Sequence, residues 1–275
     1  MGKKFVIDEQ TMKSIANEIR NRGAHFVGTD KMTPEEMARD KIGLVYHNGC
    51  ADGITQGIEI GKEEGEQAEY DRFWDSFQDN GNQTDYNYAF SAAGWTVDTF
   101  KPKYDIVPTT SNAMFYSNDM AVDLVELLEN AGVKLDFSKS TNISALFNSS
   151  KFTHIGIIST VSAEGLPSVF GGVPVVTIDG LVLKDDGSQT FNTACFQNCS
   201  RLTHMPVSGT IGQNGFNVQW SPLDHESLMS YLYALEDKTE DTSGTIWVIT
   251  IGETNKAKLT DDELDVASAK GWLVE

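Results

Sequence analysis

The chain has 275 residues, enough for one extended core or two modest ones. Its 40 Asp and Glu outnumber 21 Lys and Arg, and the net charge of -19 repels phosphate backbones and anionic lipid, which argues against a nucleic-acid partner. A 40% hydrophobic, 10% aromatic composition is too apolar for a solvating tail, and no apolar run reaches the roughly 20 residues of a membrane span, so a folded protein without membrane insertion is expected.

Cys50, Cys195 and Cys199 are too few and too odd in number for the disulfide framework of a small secreted module. Lys3 and Lys4 are followed by Phe5-Val6-Ile7-Asp8-Glu9, not by an apolar stretch, so no secretion signal is expected. Met12, Ile15, Ala16 and Ile19 recur at helical spacing ahead of Gly23, which predicts a short amphipathic helix over 8–22. A second helix start follows at Thr33-Pro34-Glu35-Glu36, with Thr33 as cap, Pro34 in the first turn and Glu36 able to complete a capping box.

Gly49, Gly53, Gly57, Gly61 and Gly65 then recur every fourth residue among Ile54, Ile58 and Ile60. In a helix they form a stripe without side chains, and each costs about 1 kcal/mol against alanine, so a compensating close contact is needed. A repeat of four exceeds 3.6 and favours a right-handed wrap of helices. The expectation is a homo-oligomeric stem; a glycine-containing linker is the bland alternative.

Residues 70–104 hold ten of the 27 aromatic side chains, among them Trp74, Phe77, Phe90, Trp95 and Phe100. Core packing of a small aromatic unit is expected, and an exposed sugar-stacking platform is the sharper alternative. Asp79-Asn80-Gly81-Asn82 reads as a turn after a helix ending near Gln78.

The second half repeats. Phe147, Phe170 and Phe196, spaced 23 and 26 residues apart, each lead through a polar turn into a short apolar pattern: Phe152-Thr153-His154-Ile155, Val175-Val176-Thr177-Ile178 and Leu202-Thr203-His204-Met205. The predicted repeat core is Phe147, Ile155, Phe170, Ile178, Phe196, Leu202 and Met205. Met114-Phe115-Tyr116-Ser117 reads as the start of an irregular earlier unit, with Leu124, Leu127 and Leu128 on a helix before Gly132. His154 and His204 fall at equivalent positions with Thr177 between them and no carboxylate motif nearby, so they read as ladder residues and no metal is expected. Beyond them, Asp224 caps a helix carrying Leu228, Tyr231, Leu232 and Leu235, and 245–251 alternates as a strand. Thr260 to Glu263 forms a capping box before a last helix, and Trp272-Leu273-Val274 closes as a strand.

The Phe-turn-(Leu/Val/Phe)-Thr-x-(Ile/Met) units resemble BspA-type leucine-rich repeats, and the run from Leu259-Thr260 to Lys270-Gly271-Trp272 resembles their C-terminal cap, together covering about 110–275. The segments Ile7-Asp8 to Ile19, Thr29 to Met37, and Tyr70-Asp71-Arg72-Phe73-Trp74-Asp75 to Phe100-Lys101-Pro102-Lys103-Tyr104-Asp105 resemble tail-associated proteins from phages of gut Firmicutes. The units are few and degenerate for a regular array, and 185–189 is a long polar insertion.

The expected organisation is therefore α+β: a helical attachment and oligomerisation segment at 1–69, an aromatic-rich subdomain at 70–109, and a leucine-rich-repeat domain with its cap at 110–275. What the resemblance implies is a virion protein of the tail fibre or baseplate, made in the host cytoplasm, that binds the host cell surface through its repeats. Expected partners are further copies of the chain, a trimer being one form, other tail or baseplate proteins, and a host-surface glycan or protein. A purely structural tail part and a bacterial surface adhesin are the alternatives. No G-x-S-x-G, H-E-x-x-H or P-loop motif occurs and no carboxylate pair is singled out, so neither an enzyme nor a cofactor is expected.

Overall fold

The computed structural model describes Trp74, Phe77 and residues 83–91, 95–192 and 194–275. The helices expected at 8–22 and from Thr33, the glycine stripe from Gly49 to Gly65, and the turn at 79–82 lie outside these residues. The described part is α+β, with short helices, small parallel sheets and one hydrophobic core that runs from Trp74 to Val274.

Aromatic rings form the first part of that core. Trp74 and Phe77 are helical, and Trp74 meets Phe90 at 5.5 Å and Phe100 at 5.6 Å between ring centroids. Phe90 meets Phe100 at 5.0 Å and 85°, the edge-to-face geometry that ring quadrupoles favour. The Trp74 indole N–H donates to the Thr99 carbonyl at 3.0 Å, so the ring is buried without stranding its polar atom. Tyr86, Phe90, Trp95 and Phe100 are all buried, Tyr88 is half-buried and Tyr104 is exposed. Among the described residues, the rings of Trp74, Phe77, Tyr86, Phe90, Trp95 and Phe100 are thus core, not platform, and Phe90 joins them to the next segment by packing on Phe115 at 5.4 Å.

From Phe115 the rings stack. Phe115 and Phe147 lie 5.3 Å apart with planes 3° from parallel; Phe147 and Phe170 are at 5.8 Å and 10°; Phe170 and Phe196 are at 5.4 Å and 9°. Backbone bonds carry the same register. The amide of each phenylalanine donates to the carbonyl just before the next one: Phe90 to Met114, Phe115 to Leu146, Phe147 to Val169 and Phe170 to Cys195, all at 2.8–2.9 Å.

A shared turn explains why the rings superpose. The residue two before the phenylalanine has positive φ in four units (Tyr88, Ala113, Ala145, Ser168), and so does the residue two after it in four (Ser117, Ser149, Gly172, Asn198). The left-handed region costs a non-glycine residue roughly 1–2 kcal/mol, so a turn repeated at these positions is held by the inter-unit bonds and buried ring beside it. The predicted core residues Phe147, Ile155, Phe170, Ile178, Phe196, Leu202 and Met205 are all fully buried.

Helix α1 (Leu124–Ala131) is inserted between the units of Phe115 and Phe147. Asp123 caps it by accepting from Glu126 N, Gly132 ends it at φ 69°, and Leu124, Leu127 and Leu128 face the core. Strands β1 (His154–Ser159) and β3 (Thr177–Val182) pair in parallel with Ile155 opposite Ile178 and Ile158 opposite Leu181, all four buried. Strand β5 (Val207–Ser208) continues that sheet against β3. A second ladder joins β2 (Gly165–Leu166) to β4 (Thr190–Phe191), again in parallel.

The polar insertion at 185–189 is pinned by Gln189, which is fully buried. Its amide donates to the carbonyls of Thr160 and Ala163 at 2.8 and 3.0 Å and accepts from the Thr160 hydroxyl at 3.2 Å. A buried amide with its groups paired stabilises the loop instead of costing it.

Helix α2 (His225–Ala234) closes the three-stranded sheet with side chains. The Ser227 hydroxyl accepts from Met205 N at 2.8 Å, the Ser230 hydroxyl accepts from Val207 N at 2.9 Å, and the Tyr231 hydroxyl donates to Met205 O at 2.9 Å. The apolar spacing predicts Leu235 within this helix, but its ψ of 131° makes it the extended residue that ends it. Strand β6 (Trp247–Ile249) is shorter than the alternation over 245–251 predicts and pairs in parallel with β7 (Trp272–Val274). Between them lie a single turn, α3 (Glu253–Lys256), and α4 (Asp261–Ala269), whose Thr260 and Glu263 form the reciprocal capping box. Lys270 folds back and donates to the carbonyls of Leu232, Tyr233 and Leu235, the acceptors that the end of α2 leaves unsatisfied.

Candidate functional site

Two surface features gather polar chemistry from several units. The first is a row across the sheet that starts at Asp123 and runs in parallel bridges through His154 and Thr177 to His204. Asp179 lies two residues past Thr177 on β3, and Asp224, the α2 cap, follows His204. His154 Nδ1 sits 2.8 Å from Asp123 Oδ2 and its Nε2 sits 2.8 Å from Asp179 Oδ1. Only the imidazolium, with a proton on each nitrogen, donates to both carboxylates. Burial lowers the proton affinity of His154, but the bonds to Asp179 and Asp123 outweigh it and hold its pKa above the ordinary value.

The carboxylates respond in the opposite sense. Burial raises the pKa of Asp123, and the Glu126 amide together with His154 reverses this and leaves it lowered. In Asp224 burial is again overcome, by Ser227 and by His204, whose Nδ1 lies 2.6 Å from Asp224 Oδ2. The sequence holds no carboxylate motif beside these histidines because the aspartates lie 20 to 31 residues away, and the fold brings them into contact. With both nitrogens of His154 taken by carboxylates, this arrangement ties neighbouring units together and does not activate a nucleophile. Among the described residues no group of three or more His, Cys, Asp or Glu is placed to hold a metal ion.

The second feature is a groove of about 310 Å³ crossing three consecutive units at 141–143, 164–167 and 190–192. Ile143 and Leu166 are buried in its floor and Phe191 is half-buried. Phe191 packs edge-on to Phe216 at 5.2 Å and 83°, which fixes the plane of its ring. Asn142, Glu164 and Asn192 are exposed around it. Asn142 Oδ1 accepts from Ser144 N and Asn192 Oδ1 accepts from Ser168 N, each at 3.1 Å. These bonds settle which amide atom is oxygen and leave both Nδ2 groups without a protein acceptor among the described residues. The hydroxyls of Thr141 and Thr190 donate to the carbonyls of Thr109 and Glu164, so each offers only its lone pairs outward.

No family model, curated protein or solved structure matches the chain.

The structure separates the residues expected to matter into two groups. Phe147, Phe170 and Phe196 come together as one stack, while Gly49, Gly53, Gly57, Gly61 and Gly65 lie outside the described residues. Cys195 and Cys199 are buried and free; burial pushes the Cys199 thiol up to about 12 and raises Cys195 as well, so both act as small apolar residues. Asn142, Glu164 and Asn192 were not singled out from sequence. Their signal lies in the repeat, since they precede Phe147, Phe170 and Phe196 by five, six and four residues. Among the described residues no helix is long and apolar enough to cross a membrane.

Proposed function

We propose that this protein is a phage virion component of the tail fibre or baseplate that binds the host cell surface through a stack of BspA-type leucine-rich repeats. The observation that supports the reading most directly is the ring stack of Phe115, Phe147, Phe170 and Phe196, the first three each set in the same doubly left-handed turn and bonded through the amide to the next unit in one register. Units that contact mainly their neighbours build an elongated surface suited to macromolecular recognition. The capping box at Thr260 and the Trp272 strand fit a C-terminal cap that shields the last layer from water. The segment 1–69 then serves attachment and self-association through the glycine stripe. Several copies on one particle raise avidity for a cell surface without tight single-site affinity.

The test is to label the full chain with a fluorophore and add it to intact cells of gut Firmicutes. Saturable labelling that unlabelled protein displaces is expected. No labelling at micromolar concentration across a host panel would instead favour a scaffold within the tail.

A further inference from the structure

We infer that the groove across 141–143, 164–167 and 190–192 is a subsite for a neutral oligosaccharide. This rests on the host-binding reading and names the ligand class and the place where it binds. Three lines of geometry and charge converge on it.

Size comes first. At about 310 Å³ the groove sits at the small end of ligand pockets. It crosses three units, and two inter-strand spacings amount to roughly 10 Å, which is a fit for a short linear glycan lying along the stack.

The second line is the sorting of donors and acceptors. A sugar ring offers vicinal hydroxyls that both donate and accept, and apolar C–H faces between them. The groove supplies both halves of that pattern. Asn142 and Asn192 present amide donors whose orientation is fixed by their own Oδ1 bonds to Ser144 and Ser168. Glu164 presents a carboxylate acceptor, and Thr141 and Thr190 present hydroxyl lone pairs. Phe191, with its ring plane set by Phe216, gives an apolar surface for a sugar face. Groups held in place before binding lose little freedom on binding, which favours affinity at a shallow site.

Charge is the third. No lysine or arginine lines the groove, Glu164 stands in it, and the whole chain carries -19. Phosphate-bearing and uronic-acid polymers are repelled from such a surface, so the ligand is uncharged.

The full chain is to be tested on an array of hexose and N-acetylhexosamine oligosaccharides of two to four units, with phosphorylated and uronic-acid counterparts beside them. The strongest neutral binder is then titrated calorimetrically against wild type, Asn142→Asp, Asn192→Asp and Glu164→Gln. Each aspartate keeps the Oδ1 acceptor that orders its turn and replaces the outward donor with a negatively charged acceptor, and a thermal melt checks that folding is retained. The expected result is neutral-glycan binding weakened about tenfold by each variant, the loss of one hydrogen bond. Retention of no neutral glycan, preference for the anionic counterparts, or equal affinity in all three folded variants would overturn the inference. Cell labelling separates the two readings. Variants that label cells as well as wild type remove the groove and leave host binding standing, whereas groove-dependent glycan binding without cell labelling leaves the groove and removes the host reading.

Discussion

Phe170 has a stacked ring on both sides, at 5.8 and 5.4 Å, and no exposed surface. Replacing it by alanine removes contacts to two units and leaves a cavity that two rigid neighbours cannot fill. Phe170→Ala is expected to cost about 3–5 kcal/mol, read as a drop in the urea midpoint at constant slope. An unchanged midpoint would mean that the ring is not part of the core. At the polar row the effect is smaller and depends on pH. The raised pKa of His154 means that its contribution is complete below the ordinary imidazole value of 6.5 and fades as pH rises through the folded-state value. The lowered pKa values of Asp123 and Asp224 act the other way, contributing above the ordinary 3.8 and fading as pH falls through their folded-state values. Thermal stability is therefore expected to be greatest between about pH 4 and 6.5, with His154→Gln flattening the decline on the alkaline side. The partners are part-exposed, at 28 to 42% of their side-chain surface, so solvent screening limits each pair to about 0.2–1 kcal/mol.

Helix α2 is held at both ends by residues outside itself. Its first turn is capped by Asp224 and its last carbonyls are held by Lys270, 35 to 38 residues away. Lys270→Met keeps the length and apolar stem of the side chain and deletes three donors. It is expected to destabilise the protein by about 1.5–3 kcal/mol, and hydrogen exchange at the end of α2 is expected to rise with it. A variant melting with wild type would show that water replaces the ammonium at no cost. The start of α2 was legible from sequence because an aspartate cap is a local signal, and so were the Thr260 capping box and the Trp272 strand. Its end was not legible: Leu235 continues the apolar spacing, and nothing near it in sequence announces that a distant lysine takes the last carbonyls. The repeat shows the same division. Phe147, Phe170 and Phe196 could be aligned because 23 and 26 residues separate them, whereas Phe115 stands 32 residues before Phe147 with α1 inserted between, and Phe90 is masked by the aromatic residues around it. The aspartates of the polar row and the asparagines of the groove meet only when units stack, so no linear spacing reveals them.

For the whole molecule, the proposal joins a self-associating stem to a recognition stack, and the two halves separate experimentally. Light scattering of the full chain is expected to give an integer multiple of the chain mass, and Gly57→Leu is expected to lower it by placing a side chain in a close helix contact. A wild-type monomer would make 49–65 a linker. An oligomer unaffected by Gly57→Leu would place self-association elsewhere. Within the stack, the hydroxyls of Ser227, Ser230 and Tyr231 take the bonding groups of Met205 and Val207 that a further strand would otherwise take. A row of open amides and carbonyls there would be a template onto which a second molecule could add in the same register, and a third onto that, giving fibres. Three side chains on a helix terminate this growth. The sheet is thereby kept from polymerising through its own edge.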